Sequence, residues 1–529
     1  MISWHRATGR SDVVAKEGVV ATSQSLATQA GVEILLKGGN AVDAAVASAA
    51  VLDIVEPFST GCGGDAFALI HLPGKNSPIS INGSGRTGSL VTLEDLLEKQ
   101  WTEIPIRGGP SVSVPGAMHM WFYVVEKFGS LEFKEVLAPA IRYARNGFPV
   151  SDIVSQVWSL ASSILINDYA KNLYSINGRA PMMGEIMKNK DLADVFESVT
   201  KEGLQAFYGG KTAEAIVDLV QEHGGFLTLD DLESHETRET LPIATSYRGM
   251  DVFEHPPNGQ GFAALIMLNL MEQYEISALP ALSSERYHLM IEAKKLAYAE
   301  LHQHNTDPSF YDVPLKKLLS KEYAKERVQQ IKSSKAMTDY ASGVPVNSDT
   351  VYLAAADGEG RAVSFINSLY RGFGSGLVVP GTGIKLQNRG SLMSLDPKHT
   401  NRFAPKKLPF HTIIPGALYK DKELVGVFGI MGGDHQAQAH AQFVSNLVDY
   451  DMGPQEAIDH PRFNHYHQEN KVGLERGFPE EIRTRLGKLG HNLIDRPSPG
   501  FGGGQAILRL YDSWIAGSDF RKDGHAAGF

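Results

Sequence analysis

Residues 349–358 read Asp349-Thr350-Val351-Tyr352-Leu353-Ala354-Ala355-Ala356-Asp357-Gly358, and a second apolar run, Ala362-Val363-Ser364-Phe365-Ile366-Asn367-Ser368, follows them. Asp-Gly between two such runs predicts a hairpin, with Gly358 supplying the φ > 0 conformation of a tight turn. A threonine in mid-chain is a weak nucleophile. If the Asp349–Thr350 bond breaks, the new α-amine lies beside the Thr350 hydroxyl and serves as its base. Such an amine titrates at roughly 7.7–8.0, which suits proton transfer near neutral pH. The polar, weakly periodic segment 329–348 directly upstream has the character of a mobile connector to a cut site.

Other stretches offer chemistry of different kinds. Met431-Gly432-Gly433-Asp434 precedes a helical pattern from 437, and bare glycine amides before a helix form either an oxyanion hole or simply a turn. Arg86, in Asn82-Gly83-Ser84-Gly85-Arg86, reads either as solvated surface or as a bidentate grip on a carboxylate. Cys62 is the only cysteine, in Thr60-Gly61-Cys62-Gly63-Gly64; it reads as a small residue in a glycine turn or as a catalytic thiol. The glycines of 372–376 are followed by Leu377-Val378-Val379-Pro380, which cannot open a helix, so a phosphate loop is not expected. The pairs His302/His304, His435/His440 and His465/His467 lack the i,i+4 spacing of helical metal ligands, and neither metal nor cofactor is expected.

The elements that must position these residues follow from periodicity. Residues 22–55 predict two helices broken at Gly38-Gly39, with Asn40 capping the second. Strands are expected at 66–72, 79–83 and 251–254, and helices near 114–146, 262–274, 284–303 and 437–448. Helices, two strand-rich regions and helices again fit a layered sandwich better than alternating βαβ units. A net charge of −10 argues against a nucleic-acid surface, and no run approaches the roughly 20 apolar residues of a membrane span. With no apolar leader at Met1-Ile2-Ser3-Trp4-His5-Arg6, a cytoplasmic location is the expectation.

In ordered stretches spread over nearly the whole chain, the sequence resembles the γ-glutamyltransferase (glutathione hydrolase) family of N-terminal nucleophile hydrolases, which includes cephalosporin and glutaryl acylases. The stretches that carry this are Lys37-Gly38-Gly39-Asn40-Ala41-Val42-Asp43-Ala44-Ala45, Gly61-Cys62-Gly63-Gly64, Ser113-Val114-Pro115-Gly116, Ala144-Arg145-Asn146-Gly147-Phe148, Tyr247-Arg248-Gly249, Met431-Gly432-Gly433 and Gly517-Ser518-Asp519-Phe520-Arg521. The resemblance implies a four-layer αββα sandwich made as a precursor that cuts itself between Asp349 and Thr350. Fragments 1–349 and 350–529 would remain one unit, a heterodimer acting on a small amide or peptide. It further implies that Thr350 is the nucleophile, that Ser368 stands where the family has a threonine bonded to it, that Gly432 and Gly433 hold the oxyanion, and that Arg86 binds the substrate's α-carboxylate.

Departures from the family pattern bear on the substrate. Tyr370 replaces the usual asparagine, Arg389 the usual glutamine or glutamate, and His411-Thr412 the serine pair; Val351 follows Thr350 where a second threonine is usual. Leu392 stands where typical members have the aspartate that pairs with the glutamyl α-ammonium. Losing such a partner costs on the order of 2–5 kcal/mol. The expectation is therefore a glutaryl-type acyl group lacking the free amine, or a γ-glutamyl group held by other contacts. The short segment 394–406 suggests an open cleft and hydrolysis rather than transfer. Two further readings stay open: an uncut relative that only binds, and a cysteine hydrolase using Cys62.

Overall fold

The computed structural model describes residues 9–340, 349–496 and 498–529. Part of the expected connector, 341–348, lies outside the described residues. Two seven-stranded sheets dominate. The first runs, in spatial order, His525–Gly528, Gly18–Thr22, Asp349–Asp357, Ala362–Tyr370, Asp65–His71, Ile79–Gly83 and Arg238–Thr240. The second runs Val13–Ala15, Ser513–Ser518, Gly503–Leu510, Glu423–Met431, Gly416–Lys420, Met250–Glu254 and Ile243–Tyr247.

Three apolar layers show how the sheets stack. Along the strand Asp349–Asp357, Val351, Leu353 and Ala355 join a cluster with helices Ser25–Leu36, Ala41–Val55 and Ala117–Phe128. Tyr352, Ala354 and Ala356 face the other way, into a cluster shared with Ala417, Val427 and Ile507 of the second sheet. The far face of that sheet (Val252, Leu418, Phe428, Ala506) packs on helices Gly261–Met271, Ser284–His304 and His435–Tyr450. Helix, sheet, sheet, helix is the expected αββα order. The period-2 alternation of side chains explains why the strand Asp349–Asp357 reads as one continuous apolar run: both of its faces are covered.

The local signals hold in most places. Asn40 caps Ala41–Val55, its side chain accepting from the amides of Val42 and Asp43 while Asp43 receives the Asn40 amide. The last helix of the site starts at His435, two residues before its periodic pattern. The hairpin differs from expectation. Its connection is four residues long, and the positive φ (+94°) belongs to Gly360, not Gly358. Asp357 organises the turn instead, its carboxylate accepting from the amides of Glu359 and Arg361. No helix among the described residues is long and apolar enough to cross a membrane.

Candidate active site

Thr350 is completely buried and lies where the ladder is irregular: Asp349 pairs with Tyr370 and Val351 with Asn367, so two residues, Ser368 and Leu369, oppose Thr350. This bulge points both hydroxyls inward between the sheets, and Thr350 Oγ1 and Ser368 Oγ share a hydrogen bond of 3.0 Å. Ser368 Oγ also accepts from the Tyr370 amide (2.8 Å) and from Arg389 Nη2 (3.2 Å). Ser368 Oγ is thus an acceptor for two fixed donors and a hydrogen-bond partner of the Thr350 hydroxyl.

Tyr370 has φ of +79°, a left-handed conformation that costs a bulky residue about 1–2 kcal/mol. An asparagine adopts it readily; the tyrosine adopts it with its ring 4.5 Å from the Arg389 guanidinium. Arg389 is fully buried and donates from Nη1 to Thr412 Oγ1 at 2.8 Å. Burial lowers its pKa to about 10, which keeps it cationic at neutral pH. Behind it, Asp65 accepts from the Gly85 amide, Gln387 Nε2 and His411 Nε2. Burial raises this carboxyl to about 7 despite those donors and the nearby Arg389 charge. His411, pushed far below its usual range by burial and by Arg389, is neutral and acts as a structural donor to Asp65.

The second half of the site is the loop Gly432-Gly433, where φ is +138° and +62°. Only glycine takes such angles without strain. Neither glycine amide donates to an acceptor among the described residues, as an oxyanion hole requires. Gln260 ties this loop to the partners of Thr350, its Nε2 donating to the carbonyls of both Gly433 (2.8 Å) and Thr412. A continuous chain of contacts results: Thr350, Ser368, Arg389, Thr412, Gln260, Gly433. The loop forms one wall of a cleft of about 410 Å3.

Three sequence expectations meet a different arrangement. Arg86 does not join this chain: its Nη1 is held by Asp307 (3.0 Å) and the Lys406 carbonyl, and it lines a separate cavity of about 50 Å3. Arg389, which stands in place of the family's glutamine or glutamate, is buried and bonded to Ser368 and Thr412. Cys62 is buried, its thiol pushed well above the usual range by burial and by Asp53, the wrong direction for a nucleophile. Leu392 packs in one apolar cluster with Tyr370 and Phe410, so its position is dry. Among the described residues one group has metal-ligand proximity, His288, Glu292 and His491. There His288 Nδ1 and His491 Nε2 hydrogen-bond at 2.8 Å and Lys295 Nζ occupies Glu292 at 2.8 Å, leaving protons where a cation would sit. Sequence reasoning missed Gln260 and Asp65; Gln260 lay inside a Pro/Gly run that signals only a turn.

The profile of the family described as gamma-glutamyltranspeptidase matches residues 27–529. A glutathione hydrolase-like YwrD proenzyme of Bacillus subtilis is 38% identical over 98% of this chain and 99% of its own. An oxamate amidohydrolase proenzyme of Klebsiella pneumoniae is 33% identical over 98% and 100%. Among solved structures, a cephalosporin acylase from Bacillus halodurans superposes with a TM-score of 0.93 at 40% identity, covering 100% of this chain and 99% of the other. The chain belongs to the gamma-glutamyltranspeptidase family of N-terminal nucleophile hydrolases, and it is an enzyme of that class.

Proposed function

We propose that the protein is a self-processing amidohydrolase whose nucleophile is Thr350. In the precursor Thr350 Oγ1 attacks the Asp349 carbonyl carbon, the C–N bond breaks, and an ester joins Asp349 to the threonine side chain. Water then hydrolyses the ester, leaving an Asp349 carboxylate and a Thr350 α-amine on fragments 1–349 and 350–529. In turnover the amine takes the hydroxyl proton, Thr350 Oγ1 adds to a substrate amide, and the amides of Gly432 and Gly433 stabilise the oxyanion. Collapse expels the amine product, and water or an acceptor amine releases the acyl group. The observation that carries this reading is the hydrogen-bonded chain from Thr350 through Ser368, Arg389, Thr412 and Gln260 to Gly433. It couples the hydroxyl to a loop whose amides have no acceptor among the described residues.

The acyl group on this reading lacks a free α-amine, as glutaryl does. The burial of Leu392 in an apolar core cluster supports it, because an ammonium placed there loses its hydration without gaining a carboxylate. A γ-glutamyl substrate of the glutathione type is the second reading, favoured by the hydrolase name of the Bacillus relative. Mass spectrometry of the purified protein tests the core claim. Pieces of 349 and 180 residues are expected, with an acyl adduct on the smaller one after brief exposure to an amide. A Thr350→Ala chain that is still cut, or still turns over amides, refutes it. Matched glutaryl and γ-glutamyl anilides separate the two substrate readings.

A further inference from the structure

Position 434 is the N-cap of helix His435–Tyr450, where a carboxylate ordinarily accepts from the first helix amides. Asp434 makes no such bond. Its Oδ1 is buried with no hydrogen-bond donor among the described residues, and the residue borders the cleft beside Gly432. The charge that acts on it belongs to Lys294, on helix Ser284–His304. Lys294 is fully buried, its Nζ has no hydrogen-bond acceptor among the described residues, and Asp434 is the carboxylate whose charge supports it. Burial disfavours both charges, lowering Lys294 and raising Asp434, and each is restored chiefly by the other. No neighbour competes for either. Burial, with Lys294 close by, pushes His302 down to about 3, burial holds His435 and His465 far below their usual range, and Lys295 is already paired with Glu292. Tyr298, one turn along from Lys294, completes the arrangement. Lys294 Nζ lies 3.7 Å from the centre of its ring, and its hydroxyl donates to the Asp434 backbone carbonyl.

One helix thus grips a single residue twice, its carbonyl by a hydrogen bond and its side chain by charge. That residue directly continues Gly432-Gly433, whose carbonyls receive the amides of His435 and Gln436 at 3.1 Å each. We propose that Lys294 and Tyr298 are positioning residues: by fixing Asp434 they aim the Gly432 and Gly433 amides at the oxyanion that forms in the reaction. The inference rests on the hydrolase reading for that oxyanion. Both glycines have positive φ and no side chain to anchor them, so the direction of their amides depends on what holds the chain on either side. Gln260 secures the Gly433 carbonyl, and the Lys294–Tyr298 pair secures the residue after it.

Lys294→Met removes the charge and keeps most of the chain length. Acylation and deacylation both pass through an oxyanion, so kcat and kcat/KM for an anilide should fall together, by about tenfold to hundredfold, while circular dichroism is unchanged. Tyr298→Phe keeps the ring beside Lys294 and loses only the carbonyl bond; a fall of about threefold to tenfold is expected. Asp434→Asn should match Lys294→Met, and the double variant, which leaves neither charge alone, should be no slower than the slower single variant. Should Lys294→Met fail to fold, Tyr298→Phe and the double variant carry the same test. Losses that multiply in the double variant, or a folded Lys294→Met enzyme with unchanged kcat, overturn the proposal. Hydrogen exchange read by mass spectrometry reports on the loop without turnover. The amides of His435 and Gln436, which close on the two glycine carbonyls, should exchange at least about fivefold faster in Lys294→Met and in Tyr298→Phe. Unchanged exchange overturns the proposal even where kcat falls. Faster exchange in a chain that neither cuts itself nor hydrolyses an amide sinks the hydrolase reading and leaves the hold on the loop standing.

Discussion

Arg389 should set the pH at which the enzyme switches on. Contacts of 3.0 and 3.2 Å, through Ser368 Oγ, hold its guanidinium within about 6 Å of the Thr350 hydroxyl. The α-amine that the proposed cut would free sits on the same residue. A cation at that range disfavours a second positive charge by about 0.7 kcal/mol in a fully water-like medium and about 2.8 kcal/mol at an effective dielectric near 20. That is about 0.5–2 pH units off the ammonium's pKa, and full burial of Arg389 favours the upper half. The amine must be neutral to act as base, so lowering its pKa extends activity towards lower pH. Arg389→Gln keeps donors for Ser368 and Thr412 but removes the charge; the acid limb of kcat/KM should move up by about 1–2 units, with little change above pH 9. The profile is measured between pH 5 and 9.5 on processed protein, with an anilide it cleaves. Asp65, raised by burial to about 7, is a rival owner of that limb, and it too would shift upward on loss of Arg389. Asp65→Asn separates them. Removing an anion lowers the amine's pKa and moves the limb down, whereas a limb belonging to Asp65 disappears. An Arg389→Gln limb that stays put or falls refutes the electrostatic argument.

Three further outcomes follow from the same geometry. Gly432→Ala places a Cβ 3.2 Å from Gly502 Cα at a φ of +138°, so the loop must shift; kcat should fall about 10²–10³-fold in steady-state assays while the fold, followed by circular dichroism, persists. Cys62→Ser should leave kcat within about twofold, because its thiol is buried and shifted away from ionisation; inactivation by this change alone would restore the cysteine reading. Lys385→Met removes the partner of buried Asp53, which also receives the Cys62 amide at 2.8 Å, and should cost about 3–5 kcal/mol in denaturant unfolding. Adding Asp53→Asn should recover part of that loss.

Local chemistry was legible because it is short-range. Asn40 announces a helix cap, and it forms, with Asp43 completing the box. The run 351–356 announces a strand covered on both faces. What the residue types could not show is who meets whom. Asp307 neutralises Arg86 from 221 positions away, and Gln260 reaches carbonyls at 412 and 433. The cleft gathers cations from 107, 371, 496 and 522. Such contacts depend on sheet order, and periodicity carries no information about which strands become neighbours. The substitution of Leu392 was readable as lost charge, but its burial in an apolar core cluster became visible only in the fold.

The sheet order also bears on what becomes of the pieces after cutting. Strand Asp349–Asp357 pairs on one side with Gly18–Thr22 and on the other with Ala362–Tyr370, which in turn pairs with Asp65–His71. In the first sheet Gly18–Thr22 of the larger fragment is thus wedged between strands of the smaller one, and in the second a block of four strands from the smaller fragment is flanked on both sides by strands of the larger, Val13–Ala15 and Met250–Glu254. Parting the fragments would strip both ladders and open all three apolar layers at once. Each free fragment would expose unpaired strand edges, which water satisfies only by unfolding them. The cut protein is therefore expected to elute as one species in gel filtration without denaturant, and to melt in one calorimetric transition with no prior loss of a fragment. Release of a folded 180-residue piece below the melting temperature would show that the interleaved strands do not bind the halves together.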